Sequence, residues 1–165
     1  MKLNIPFYKQ DTEYTCGPTS LQMAFSFLGK FKSEHTLARE AKTNKDGTTH
    51  EGMIETALRE KFYCYVNEGS SIEEIKYFIH LGFPVIIDYT EPSGEDGHYA
   101  VVSGYQDGYV VLNDPWNGKN FKISEKEFIS RWHDCHPTHH MCVRWMMVLS
   151  KTEFSMGKQY VPHSN

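Results

Sequence analysis

The sequence lacks the marks of several large protein classes. No apolar run approaches the roughly 18 residues needed to cross a bilayer. The opening Met1-Lys2-Leu3-Asn4-Ile5-Pro6 carries one lysine but no apolar stretch after it, so no secretory signal is expected. Positive charge is in deficit, with 17 Lys and Arg against 21 Asp and Glu and a net charge of -4. A nucleic-acid binder would need a basic stripe instead. There is no internal repeat, no low-complexity block and no Pro/Gly/Ser-rich linker. Cysteines number four, Cys16, Cys64, Cys135 and Cys142, and their spacing does not read as a disulfide framework. Reduced thiols in a cytoplasmic protein are therefore expected. Aromatic residues are plentiful, with 10 Phe, 10 Tyr and 3 Trp, which excludes wholesale disorder. The unusual excess is nine histidines. At 165 residues the chain suits one domain over 1–150, with a tail over 151–165 of mixed composition that is expected to be partly mobile.

Hydrophobic spacing changes along the chain. Leu21, Ala24, Phe25 and Leu28 share one helical face, Met23 and Phe27 add apolar surface beside it, and Gly29 suits the C-terminal cap. That predicts a central buried helix over 19–28. A weaker helix is expected over 33–43, and Thr49 suits the cap of a third through Met53, Ile54, Ala57 and Leu58. Ser71 with Glu74, and Ser124 with Glu127, make capping boxes before two further helices. Strands are expected over 62–66, at the continuous run Val85-Ile86-Ile87, over 98–105 and 109–113 around an Asp107-Gly108 turn, at 121–123 and over 143–149. Helices gather early and strands late, which predicts an α+β fold with a mainly antiparallel sheet.

Three short pieces carry chemistry. Cys16 lies at the mouth of the central helix, where unpaired backbone N–H groups and the positive end of the helix dipole favour a thiolate. Gly17 allows close approach of a substrate to the backbone, and Pro18 suits a first helical turn. His98, after Gly97, begins a strand, and an imidazole at an element end can exchange protons with a cysteine nucleophile. Asp114, before Pro115, ends the next strand, and a carboxylate there can fix the imidazole tautomer. An antiparallel hairpin brings the start of one strand beside the end of the next, so His98 and Asp114 are expected at one end of the sheet.

Together these residues resemble the papain-like cysteine peptidases, and in particular the bacteriocin-processing, double-glycine-leader peptidases and their stand-alone relatives. Gln10, Cys16-Gly17-Pro18-Thr19-Ser20, Gly97-His98 and Asn113-Asp114-Pro115 stand in the family's order. The resemblance implies an N-terminal helical part, with the nucleophile on a central helix packed on a mainly antiparallel sheet. It implies Cys16 as nucleophile, His98 as general base and acid, and Asp114 as the orienting residue. Gln10 would donate its side-chain amide to the oxyanion together with the backbone N–H of Cys16. It implies a peptide or protein substrate and no cofactor. The bacteriocin processors are fused to membrane-spanning transporters, so cleavage of double-glycine leaders is not carried over.

Other residues read differently. Cys64, inside Phe62-Tyr63-Cys64-Tyr65-Val66, reads as a buried apolar residue. His35, His50, His80 and His163 read as solvated or core-satisfied, and Tyr99, Trp116 and Trp132 as core or cleft wall. The segment from His133 to Cys142 holds His133, His136, His139, His140, Cys135 and Cys142. Zinc favours such ligands, but a closed site needs four and no second pair is evident, so a loop beside the cleft is expected and no metal is assigned. Three rival functions share some of these features: acyl transfer of transglutaminase-like or arylamine acetyltransferase-like chemistry, a non-catalytic peptide-binding module, and a zinc-dependent interaction protein. An occluded Cys16 would favour the binding module.

Overall fold

A computed structural model of the chain describes residues 1–133, 143–156 and 158–164. Three helices come first: α1 (Cys16–Phe27), α2 (Glu34–Glu40) and α3 (His50–Arg59). Strand β1 (Tyr63–Asn67) and helix α4 (Ile72–His80) follow, then β2 (Val85–Thr90), β3 (Gly97–Gln106), β4 (Tyr109–Asp114) and β5 (Gly118–Ser124). Helix α5 (Glu125–Arg131) and strand β6 (Met146–Ser150) complete the order. The strands form one six-stranded sheet in the order β1-β6-β2-β3-β4-β5, with antiparallel pairing throughout. The expected α+β class is the one observed.

The apolar run of β2 has a simple cause. Ile86 points to one side with Met147, Leu149, Val101 and the buried faces of α1 and α3. Val85 and Ile87 point to the other with Met146, Val148, Val102 and the buried faces of α4 and α5. A strand covered on both faces has no polar side, so its sequence does not alternate. Chain order leaves no trace of where β6 goes: the last strand enters the interior of the sheet, between β1 and β2. Each of its five residues is buried.

The local signals fall where the residues require them. Ser33, Thr49, Ser71 and Ser124 each accept a backbone N–H of the first turn of α2, α3, α4 and α5. Asp107 and Gly108 both have positive φ, 50° and 79°, which is the turn that matches the twist of a tight hairpin. The amino-terminal segment runs beside β3, with Leu3 N–H donating to Ser103 O at 2.7 Å and Tyr105 N–H to Met1 O at 2.9 Å. A Cβ at Gly104 would stand 2.3 Å from Met1 O, so glycine there is what admits this strand-like contact. The segment then continues to Gln10, whose N–H donates to Pro115 O at 3.1 Å. In the tail, Tyr160 exchanges two backbone hydrogen bonds with Cys64 on the outer edge of β1, and Phe154 packs into the second core.

Candidate active site

Helix α1 begins at Cys16 itself, three residues before the position that apolar spacing predicts. Pro18 sits inside the first turn, where it removes no intrahelical hydrogen bond. Among the described helices α1 is the one whose preceding residue, Thr15, makes no side-chain cap. The first-turn N–H groups beside Cys16 therefore have neither an intrahelical acceptor nor a capping oxygen. Burial holds the helix in place, since Leu21, Met23, Ala24 and Phe25 lie in the first core. Gly17 has a different use from the expected one. A Cβ there would lie 2.9 Å from Thr48 Oγ1 and 3.0 Å from Met53 Sδ, so its bare face admits the α3 side of the core rather than a substrate.

His98 and Asp114 meet as the hairpin predicts. His98 Nε2 lies 2.7 Å from Asp114 Oδ1, at the start of β3 and the end of β4. The next residue along β3, Tyr99, directs its backbone N–H at Cys16 Sγ over 3.5 Å. One strand end thus holds both an imidazole and a hydrogen-bond donor against the sulfur. Cys16, His98 and Asp114 are 8%, 6% and 0% exposed. The thiol is enclosed but not sealed.

Asp114 is held from every side. Besides His98 it accepts from Tyr89 Oη at 2.5 Å, from the backbone N–H groups of Trp116 and Asn117 at 2.9 Å each, and from Asn117 Nδ2 at 3.2 Å. Burial pushes this carboxyl up, but the imidazolium of His98 and these donors outweigh it and bring it down to about 2. Burial likewise opposes charge on His98, and here the negative charges of Cys16 and Asp114, with their hydrogen bonds, prevail and raise His98 well above the usual imidazole range. Burial and the nearby carboxylate raise the Tyr89 phenol, which remains a neutral donor to Asp114.

Asp114 therefore links stability to acid. Its folded value of about 2 lies below the ordinary 3.8, so its contribution is present above pH 4 and lost as pH falls through 2. The contribution is roughly 2 kcal/mol, counted once for the His98–Asp114 couple. Urea unfolding of the natural chain and of Asp114→Asn is expected to show their stability difference narrowing by about that amount between about pH 5 and pH 2. A difference independent of pH over this range would exclude an ionised, strongly held Asp114.

Gln10 reaches the same place from the other side. It lines a cleft of about 380 Å³ together with His98, Gly97, Trp116, Glu13 and the loop of Glu91, Ser93, Gly94 and Asp96. Its Nε2 donates one hydrogen to Thr12 O at 2.6 Å, which leaves the second N–H, and its Oε1 has no partner among the described residues. Glu34, at the start of α2, accepts from Asp11 N–H at 3.3 and 3.1 Å and from Thr19 Oγ1 at 2.8 Å. This buried carboxylate ties the loop after Gln10 to the first turn of the Cys16 helix. Asn117 makes a similar link, joining Glu91 Oε1 at 3.1 Å to Asp114. Glu34 and Tyr89 have no local signal because their partners lie 15 or more residues away, whereas Asn117 stands three residues beyond Asp114 in a turn and 26 from Glu91.

The remaining candidates sort plainly. Cys64 is fully buried, and burial raises its thiol. His50 is a core residue, with Nε2 2.9 Å from Asp88 Oδ2 and its ring stacked on Trp145 at 4.1 Å. His35, His80 and His163 are exposed, and His163 faces Glu55 at 3.1 Å. Tyr99 and Trp132 are core, while Trp116 is 48% exposed on the cleft. The expected loop or metal ligands at Cys135, His136, His139, His140 and Cys142 lie outside the described residues. No described helix is long and apolar enough to cross a membrane.

Comparison with known proteins bears on the fold and the family. An uncharacterized protein of Methanothermobacter marburgensis is 31% identical over 117 residues, covering 67% of this chain and 72% of that protein. The transport/processing ATP-binding protein ComA of Streptococcus pneumoniae is 28% identical over 135 residues, which is 80% of this chain and 18% of ComA. The crystal structure of the peptidase domain of Streptococcus ComA, a bi-functional ABC transporter of a quorum sensing pathway, has a TM-score of 0.72 at 24% identity. It covers 88% of this chain and 98% of that one. A double glycine motif protease from an AMS/PCAT transporter, solved with its leader peptide, has a TM-score of 0.70 at 19% identity, covering 90% and 92%. At these identities the solved structures attest the fold, which is the papain-like one of C39 peptidases. The family model of the description Peptidase_C39 like family matches residues 2–139, and the chain belongs to that family of cysteine peptidases.

Proposed function

We propose that the chain hydrolyses a peptide bond with Cys16 as nucleophile, His98 as proton carrier, Asp114 as the orienting residue and Gln10 as an oxyanion donor. One observation carries the proposal: the start of β3 brings together the His98–Asp114 couple, 2.7 Å apart, and the Cys16 sulfur, which faces the Tyr99 N–H at 3.5 Å. The thiolate attacks the carbonyl carbon, the C–S bond forms and the carbonyl electron pair moves to oxygen. The second N–H of Gln10 and the uncapped first turn of α1 receive that negative charge. Collapse of the intermediate breaks the C–N bond, and His98 gives its proton to the departing amine. Water then attacks the thioester while His98 takes its proton, which releases the acid and restores the thiolate–imidazolium couple.

A peptide or protein is the substrate in this reading. A neighbour in fold was solved with a leader peptide, which supports a peptide in the corresponding groove. The test is release of new amino groups from an unstructured polypeptide such as denatured casein, with no amine acceptor added. Gln10→Ala is expected to lower kcat by roughly 10²- to 10³-fold, the usual cost of one oxyanion donor, with a much smaller change in KM. A Gln10→Ala enzyme with unchanged kcat would remove Gln10 from the chemistry. Turnover that requires an added amine would assign the chain to acyl transfer instead. The 8% exposure of Cys16 favours one further reading, a binding module. A thiol that resists alkylation in the folded chain would favour it over the enzyme.

A further inference from the structure

The cleft beside His98 is rich in carboxylates. Glu13, Glu91 and Asp96 contribute them, and Gln10 and the open ring of Trp116 line it beside them. Among the described residues that line it there is no lysine or arginine. Glu91 spends its oxygens inside the fold, on the Ser93 and Gly94 N–H groups, the Ser93 hydroxyl and Asn117 Nδ2, and the same donors hold its carboxyl below the usual range against burial. Its negative charge nonetheless remains at the wall. Glu13 and Asp96 are exposed and face no cation among the described residues. Asp96 Oδ2 and Glu91 Oε2 both lie 3.1 Å from the place where a Cβ on Gly94 would stand, so two carboxylates crowd one short stretch of rim. A different kind of observation points the same way. Gln10 is 6% exposed, and its Oε1 has no hydrogen-bond partner among the described residues.

The donors at this cleft, His98 and the second N–H of Gln10, serve the chemistry proposed above, so the carboxylates along its rim favour a ligand that brings donors and positive charge. Lysine ammonium and arginine guanidinium are the side chains that fit, because both carry several N–H donors, no acceptor and a positive charge. The 48% exposed ring of Trp116 adds a face on which such a cation rests favourably. An acidic peptide would bring like charge to Glu13, Glu91 and Asp96.

Resting on the peptidase reading above, we infer that this chain selects peptides with a lysine or arginine within about three residues of the bond it cuts. Each exposed carboxylate is worth about a two- to fivefold effect on its own, and the cation on Trp116 a similar factor, so a preference of roughly tenfold over neutral isosteres is expected. The preference should shrink in high salt, because screening acts on exposed charges.

The experiment is digestion of a peptide library randomised over eight positions, with the cut positions read by mass spectrometry. The expected result is enrichment of lysine and arginine beside the cut bond by the natural chain. In the doubly substituted Glu13→Gln, Asp96→Asn protein, shown to be folded by circular dichroism, that enrichment falls towards unity. Cleavage of neutral or acidic peptides as readily as basic ones overturns the inference and leaves the peptidase reading standing. Cleavage of none of the peptides, with Cys16 inert to alkylation, overturns both.

Discussion

Cys16→Ala is expected to abolish peptide cleavage, with a loss of roughly 10⁴- to 10⁶-fold in kcat and no loss of fold. The size follows from the way catalytic groups act as a unit: once the nucleophile is gone, the proton carrier and the oxyanion donors have nothing to activate. Stability should change little, because the side chain lost is small and sits at a helix end. The same substitution has a second consequence that a merely structural thiol would not produce. The negative charge of Cys16 is the largest influence raising His98, so the His98 titration followed by NMR should move to lower pH in Cys16→Ala. Labelling by iodoacetamide at mildly acidic pH should be lost with it. Cys64 does not substitute as a target, being fully buried with its thiol raised by burial.

The second large effect belongs to Asp114. Asp114→Asn should lower kcat by about 10⁴-fold while KM changes little, as expected when a base loses the carboxylate that sets its tautomer. The amide is nearly isosteric, yet it cannot replace the carboxylate here. Asp114 accepts from His98, Tyr89, Trp116 and Asn117 at once, and an acceptor-only group suits five incoming contacts. An amide brings an NH₂ to one of those positions and turns an attraction into a clash of donors. It also removes one of the two negative charges that keep His98 protonated, so His98 falls in the variant as well. Steady-state kinetics with a peptide substrate decides the matter, and a variant within tenfold of the natural enzyme would contradict the assigned role.

Some of this was legible before any coordinates. Ser71 with Glu74, Ser124 with Glu127, and Thr49 announce their helices because a cap is a contact between residues three apart. The Asp107-Gly108 turn announced the β3–β4 hairpin, and the hairpin alone brought His98 and Asp114 to one end of the sheet. The meeting of Cys16 with that couple was not written locally. It depends on α1 packing across β3 from 83 residues away, and it was anticipated through the family pattern rather than through spacing. Glu34 was invisible for the same reason, since nothing at its own position shows that its carboxylate will reach Asp11 and Thr19. The insertion of β6 between β1 and β2 is likewise a matter of long-range pairing, for which an apolar run is necessary but not directional. The helix starts three residues before the apolar pattern does, because that pattern marks the buried face and not the polar first turn, which Pro18 suits.

The central claim is that a covalent thioester forms on Cys16 during peptide hydrolysis. The most direct measurement is an acid quench of the enzyme mixed with a peptide that it cleaves, followed by digestion and mass spectrometry of the fragment containing Cys16. The expected result is a mass increase equal to the amino-terminal product less one water, on Cys16 alone, and its absence in Cys16→Ala. Cleavage that proceeds with Cys16 unmodified, and persists when Cys16 is alanine, would contradict it.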